Sequence, residues 1–181
     1  MVHSKKILLA ILGATTIILS GCSSTKNQAF DTAAEAKAIN LSNEQLLQDI
    51  KKSGATVVAQ GDQIEFILPV NKFFADNSDQ VKLKQQTTFH NISTVIHRKG
   101  PTTKVKVTGF TNNFGSISAQ NKRAQQHAEV VAAYLWNQGI DNSQISINNA
   151  GSHNAVAYND TMAGNQANRR VEIMINQPAA S

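Results

Sequence analysis

Lys104-Val105-Lys106-Val107-Thr108-Gly109 decides the fold. Successive side chains of a strand point to opposite faces. Val105 and Val107 therefore share one side, and Lys104, Lys106 and Thr108 the other. A strand covered by helices on both sides would read as a nearly continuous apolar run. This one alternates, so it predicts a sheet with one face in a core and one face in water. Ile64, Phe66 and Leu68 alternate with Gln63, Glu65 and Ile67. Ile145 and Ile147 alternate with Gln144, Ser146 and Asn148, and Val171, Ile173 and Ile175 with Glu172, Met174 and Asn176. Thr56 to Leu68 reads as a hairpin closed at Gly61-Asp62, a two-residue turn of the Gly-X kind, with Pro69 ending the second strand.

Between the strands lie helical patterns. Ser42 with Gln45 has capping-box spacing, and Leu46, Leu47 and Ile50 form a stripe, which predicts a short helix at about 42–52 ahead of Gly54. Phe89, Ile92, Val95 and Ile96 predict a helix over 78–98, with Ser78 as its cap and Gly100-Pro101 as its stop. Ala124, Ala128, Val131 and Leu135 predict another over 119–138, ended by Gly139. A Gly- and Asn-rich stretch from Gly151 to Asn168 reads as a long loop, a length that often carries function. With one face of the sheet wet, both long helices must cover the other. The fold class is thus a two-layer α/β (α+β) sandwich with a mixed sheet.

The N-terminus carries an address. Lys5 and Lys6 precede an uncharged, largely apolar run of 15 residues from Ile7 to Gly21, shorter than the roughly 20 needed to span a bilayer. Leu19-Ser20-Gly21-Cys22 resembles the lipobox of secreted bacterial lipoproteins. That resemblance implies removal of a signal peptide at 1–21 and acyl chains on Cys22, with Ser23 favouring the outer membrane, on its periplasmic side. Residues 22–40 are small and polar and read as a flexible tether, with a weak helix around the alanines of 31–38. The folded domain is expected over 41–176, with a tail at 177–181.

Composition excludes several roles. Cys22 is the only cysteine, so no internal disulfide or cysteine-based zinc site forms. The net charge is +5, and the loss of Lys5 and Lys6 with the signal brings it to +3. No dense run of Lys and Arg is interleaved with aromatics, so nucleic acid is not an expected partner.

Five stretches in order resemble the OmpA-like domains, over roughly 55–176. They are Phe73-Phe74 with Ser78; Val107 to Gly115, similar to Gly-x-Thr-Asp-x-x-Gly; Asn121-Lys122-Arg123-Ala124-Gln125; Gly151 to Val156; and Asn168-Arg169-Arg170-Val171-Glu172-Ile173. The resemblance implies non-catalytic binding of peptidoglycan through the diaminopimelate of the stem peptide. The tip of that residue carries one ammonium and one carboxylate. A planar guanidinium matches the carboxylate with two parallel N–H bonds. The resemblance makes Arg123 that partner, places Thr111 and Asn112 on the opposite side, and puts Asn168 and Arg169 nearby. Two departures stand out. The acid expected after Thr111 is Asn112, and Asn112 and Arg123 are only 11 apart, several fewer than usual. An amide in place of the acid weakens a charged contact by roughly 5- to 50-fold. Asp76, Glu129 and Asp160 are candidate substitutes with no spacing argument behind them. A second role therefore stands beside wall anchoring: a structural subunit of an envelope-spanning complex with weak or no wall affinity. The layout of tether, Cys22 and a single domain is similar to that of small lipoproteins of type IV secretion machines.

Other tempting residues have plainer readings. His90 and His97 share a helix face but lack enough ligands for a metal, and no cofactor is implied. His127 and His153 are expected on the surface. Trp136 lies at the core rim or meets a partner, and Arg170 packs across the open sheet face. Ser116, Ser118 and Ser152 fit no nucleophile pattern, so catalysis is not expected.

Overall fold

The computed structural model describes residues 41–176, so the expected signal, the Cys22 tether and the tail lie outside the described residues. The chain runs α1 (Asn43–Lys52), β1 (Thr56–Gln60), β2 (Gln63–Pro69), a single turn α2 (Val70–Phe73), α3 (Gln86–Lys99), β3 (Lys104–Phe110), α4 (Ile117–Asn137), β4 (Ile145–Gly151), α5 (Met162–Asn168) and β5 (Arg170–Asn176). The strands form one sheet in the order β1-β2-β5-β3-β4. β3 and β4 are parallel, and the other neighbours are antiparallel. The last strand thus enters the middle of the sheet, between β2 and β3.

The alternation set the faces. Phe66, Leu68, Val105, Val107, Val171, Ile173 and Ile175 are buried. They meet Phe89, Ile92 and Ile96 of α3, Ala128, Val131 and Leu135 of α4, and Leu46 and Ile50 of α1 in one cluster. Each such Leu, Ile or Phe contributes about 1.5–3 kcal/mol by leaving water. Phe89 lies between Phe73, edge-on at 6.0 Å, and Tyr134, stacked at 5.0 Å. Lys104 and Lys106 remain exposed on the uncovered face.

Gly109 fixes how closely the helix layer approaches. A Cβ at this position would stand 1.9 Å from the carbonyl oxygen of Ala124. Any side chain here would push α4 off β3. The close fit holds the residue before Ala124, Arg123, above the loop that follows β3.

The α1 capping box forms as its spacing predicts: Ser42 N–H donates to Gln45 Oε1 at 2.8 Å, and Gln45 N–H to Ser42 Oγ at 3.2 Å. Three boundaries differ from the sequence reading. The helix expected over 78–98 starts at Gln86, after a 3-10 turn at Leu83–Gln85. Ser78 does not cap it, because its hydroxyl accepts from Gln80 N–H within a turn instead. Asn77 takes φ 54 there, and Phe74 bridges Val81. The apolar spacing in fact begins only at Phe89, and Leu83 is 72% exposed. α4 starts two residues earlier than expected, because the Ser116 hydroxyl accepts from Ala119 N–H. The last seven residues of the expected loop form α5, capped by Thr161 through Gly164 N–H at 3.0 Å. Seven residues are too few for a periodic signal.

Candidate functional site

Three segments enclose a groove of about 730 Å³. The 74–81 turn supplies Ala75, Asn77, Ser78 and Asp79; the β3–α4 loop supplies Asn112 and Phe114; α4 supplies Arg123, Gln126 and His127. Arg169, at the joint of α5 and β5, closes it with Val70.

Each wall is held by local bonds. The loop carbonyls of Asn113 and Gly115 both accept from the Gln120 side-chain amide, at 3.0 and 2.8 Å. Arg123 Nη2 donates to the carbonyl of Phe114. One turn of α4 thus clamps the short loop and aims the guanidinium at the same time. The 74–81 turn is closed by Ala75 N–H to Gln80 O at 2.8 Å and Ser78 N–H to Ala75 O at 3.2 Å. It rests on α4 through Phe74, whose ring lies 4.5 Å from that of His127.

The groove is mainly cationic. Burial holds the His127 imidazole below its usual pKa; the Ser78 backbone and Asp79 pull it back up, and Arg123 and Arg169 push it down. Arg169 Nε is buried with no hydrogen-bond partner. Among the described residues, neither Arg123 nor Arg169 forms an ion pair, in contrast to Lys52 with Asp49 and Arg170 with Glu172.

Of the residues singled out in the sequence, Asn112, Arg123 and Arg169 come together in this groove. Thr111 does not line it. It is buried, its N–H donates to Gly151 O at 2.7 Å, and its hydroxyl faces Asn112 Oδ1 at 3.4 Å. Asn168 is wholly buried and organises the β4–α5 connection. Its Oδ1 accepts from Val156 and Ala157 N–H, and its Nδ2 donates to Ala157 O and Asn159 Oδ1. Asn112 is itself engaged, with Nδ2 donating to Asn165 Oδ1 at 2.9 Å. Cys22 lies outside the described residues.

His127 is a groove residue, which corrects its surface expectation. Its ring packs inward because α4 lies against the 74–81 turn. His153 is exposed as expected. His90 and His97 both reach Gln138, at its Oε1 (2.6 Å) and its carbonyl oxygen (2.9 Å), so they fasten the end of α4 to α3. Trp136 is 61% exposed. Asp76, Glu129 and Asp160 do not line the groove; Asp79 does. Asp79 and Gln120 went unread in the sequence. Asp79 adjoins Ser78, inside a segment already marked by resemblance, but a predicted helix there hid the turn that presents it.

Residues 73–169 match the OmpA family. The probable lipoprotein YiaD of Escherichia coli is 31% identical over 137 residues, 76% of this chain and 62% of that protein, so the match spans less than two thirds of it. The outer-membrane lipoprotein YfiB of Pseudomonas aeruginosa is 27% identical across 96% of this chain and 95% of its own length. The cell wall anchor of the T6SS from Pseudomonas aeruginosa shares the fold with a TM-score of 0.65, 23% identity, and coverage of 75% of this chain and 97% of that one.

Proposed function

Because this chain belongs to the OmpA family, we propose that it is a non-catalytic envelope lipoprotein that grips peptidoglycan in the 74–81, Asn112, Arg123 and Arg169 groove. The carrying observation is that two guanidiniums face one cavity with no carboxylate of the described chain bound to either. Desolvated charges are costly unless paired, and Arg169, whose buried Nε has no partner, lines the groove as a cation that a carboxylate can neutralise. The ligand is the diaminopimelate tip of the stem peptide, its carboxylate held by Arg123 with Arg169 beside it. Thr111 and Asn168 serve the site from beneath, by fixing the two loops. A relative supports the class: the peptidoglycan-binding protein ArfA of Mycobacterium tuberculosis is 38% identical over 76 residues, 42% of this chain and 23% of that protein.

The anchor in this reading is an acylated Cys22 in the outer membrane, with the domain on the periplasmic side. Each buried methylene contributes about 0.8 kcal/mol, so several chains hold durably. The Lys5-Lys6 start, the apolar run and Leu19 to Cys22 support it, as does the similarity to the outer-membrane lipoprotein YfiB. The neutral Asn112 favours a second reading, a structural subunit of an envelope-spanning secretion complex with little wall affinity. Pelleting with sacculi separates the two. In the first reading the mature protein co-sediments and Arg123→Ala reduces its affinity tenfold or more, the worth of a charged hydrogen-bond pair. In the second, neither protein pellets.

A further inference from the structure

We propose that Asp79 is the ligand's acid partner, so that the negative pole of this site has moved from the loop after β3 to the turn before α3. The inference rests on the groove reading above and names the residue that completes it.

A zwitterionic amino-acid tip needs one cationic and one anionic partner, far enough apart not to neutralise each other. The cationic side is Arg123 and Arg169. The position after Thr111 offers only an amide, and that amide already donates to Asn165. Asn165 cannot simply turn round to release it, because its own Nδ2 donates to Asn159 O at 2.7 Å and Thr161 O at 2.9 Å. Among the residues lining the groove, Asp79 is the single carboxylate.

Its setting fits the role. Asp79 is exposed at the groove's lip, on a turn closed by backbone bonds and by the Phe74–Val81 bridge. Its charge reaches into the cavity, where it acts on His127. It makes no ion pair with Arg123 or Arg169 although all three line the same groove. Opposite charges that face one cavity without closing on each other leave room for a molecule that carries both.

The test uses the mature full chain and calorimetric titration with two small probes, meso-diaminopimelate and pimelate. Pimelate keeps the carboxylates and lacks the ammonium groups. Asp79→Asn is expected to bind diaminopimelate about tenfold more weakly, the difference between a charged and a neutral hydrogen bond, and to bind pimelate as well as or better than wild type. Asp79→Glu retains most of the diaminopimelate affinity. Arg123→Ala weakens both probes. If Asp79→Asn binds diaminopimelate like wild type while Arg123→Ala does not, the groove stands and Asp79 is not its acid. If wild type binds neither probe, the groove reading itself falls and takes the assignment with it. Thermal melts of each variant separate unfolding from lost contacts; the exposed Asp79 changes leave the melt in place.

Discussion

Arg169 and Arg170 are neighbours in the chain and stand in opposite surroundings. Arg170 faces the uncovered side of the sheet and is saturated. Its Nε holds Glu172 at 2.6 Å, its guanidinium sits 3.8 Å above the Phe110 ring, and its terminal nitrogens reach the carbonyls of Asn154 and Asn168. Arg169 faces the groove with a buried Nε that has no partner. The second region leaves its cations without an anion, where in the first every guanidinium nitrogen has a partner. A saturated cation stabilises the fold and has nothing left to offer; an unsaturated one costs stability and retains its affinity for an anion. On the proposed reading, the contrast gives structure to one pocket and recognition to the other.

The comparison breaks first at Arg170. Arg170→Met should lower unfolding free energy by about 3 kcal/mol, because it strands Glu172 beside Glu65 and removes the contact on Phe110. Chemical denaturation measures it; a loss below about 1 kcal/mol would mean the open-face network is not structural. Next in size is Arg169→Gln. It should leave unfolding free energy at, or up to about 0.5 kcal/mol above, that of wild type, because it removes a cation with a buried, unpartnered Nε and no internal ion pair, while weakening the binding of muropeptide about tenfold. A variant that unfolds early but binds normally would erase the contrast.

The smallest effects are in pH, and the two regions should respond with opposite signs. Burial lowers the His127 pKa, so the unfolded chain takes up the proton first; the groove's contribution is complete above about pH 6.5 and is lost as pH falls below it. Glu65 is raised, by burial first and then by Glu172, so the folded chain holds its proton longer. That contribution is complete below about pH 4.5 and is lost as pH rises from there through the folded pKa. Melting curves from pH 4 to 8 should show His127→Gln flattening the upper part of the acid limb and Glu65→Gln removing the loss of stability as pH rises above about 4.5. Matching profiles for the two variants would mean the regions are electrostatically alike.

Much of the architecture was legible in short patterns. The alternation at Val105 and Val107 gave the single covered face, and Ala124 to Leu135 gave the long helix, because burial on one side leaves a period in the sequence. The capping pair Ser42 and Gln45 was equally local. The 74–81 turn was not legible: Ser78 can cap a helix or close a turn, and the choice rests on Asn77 taking a left-handed conformation and on Phe74 reaching Val81. Asp79 was hidden with it. In the candidate site, Arg123 and Arg169 were legible through family resemblance, whereas the places of Thr111 and Asn168 depend on contacts 9 to 40 residues away that no spacing encodes. His127 was misread because its burial depends on a ring from another segment.

The central claim is that the groove reads a tip bearing both an ammonium and a carboxylate. The most direct measurement pellets the mature protein with two kinds of sacculi, one carrying diaminopimelate in the stem peptide and one carrying lysine there, which has the amine without the extra carboxylate. Arg123 and Arg169 predict co-sedimentation with the first and at least tenfold weaker association with the second. Equal binding to both, or to neither, would contradict it.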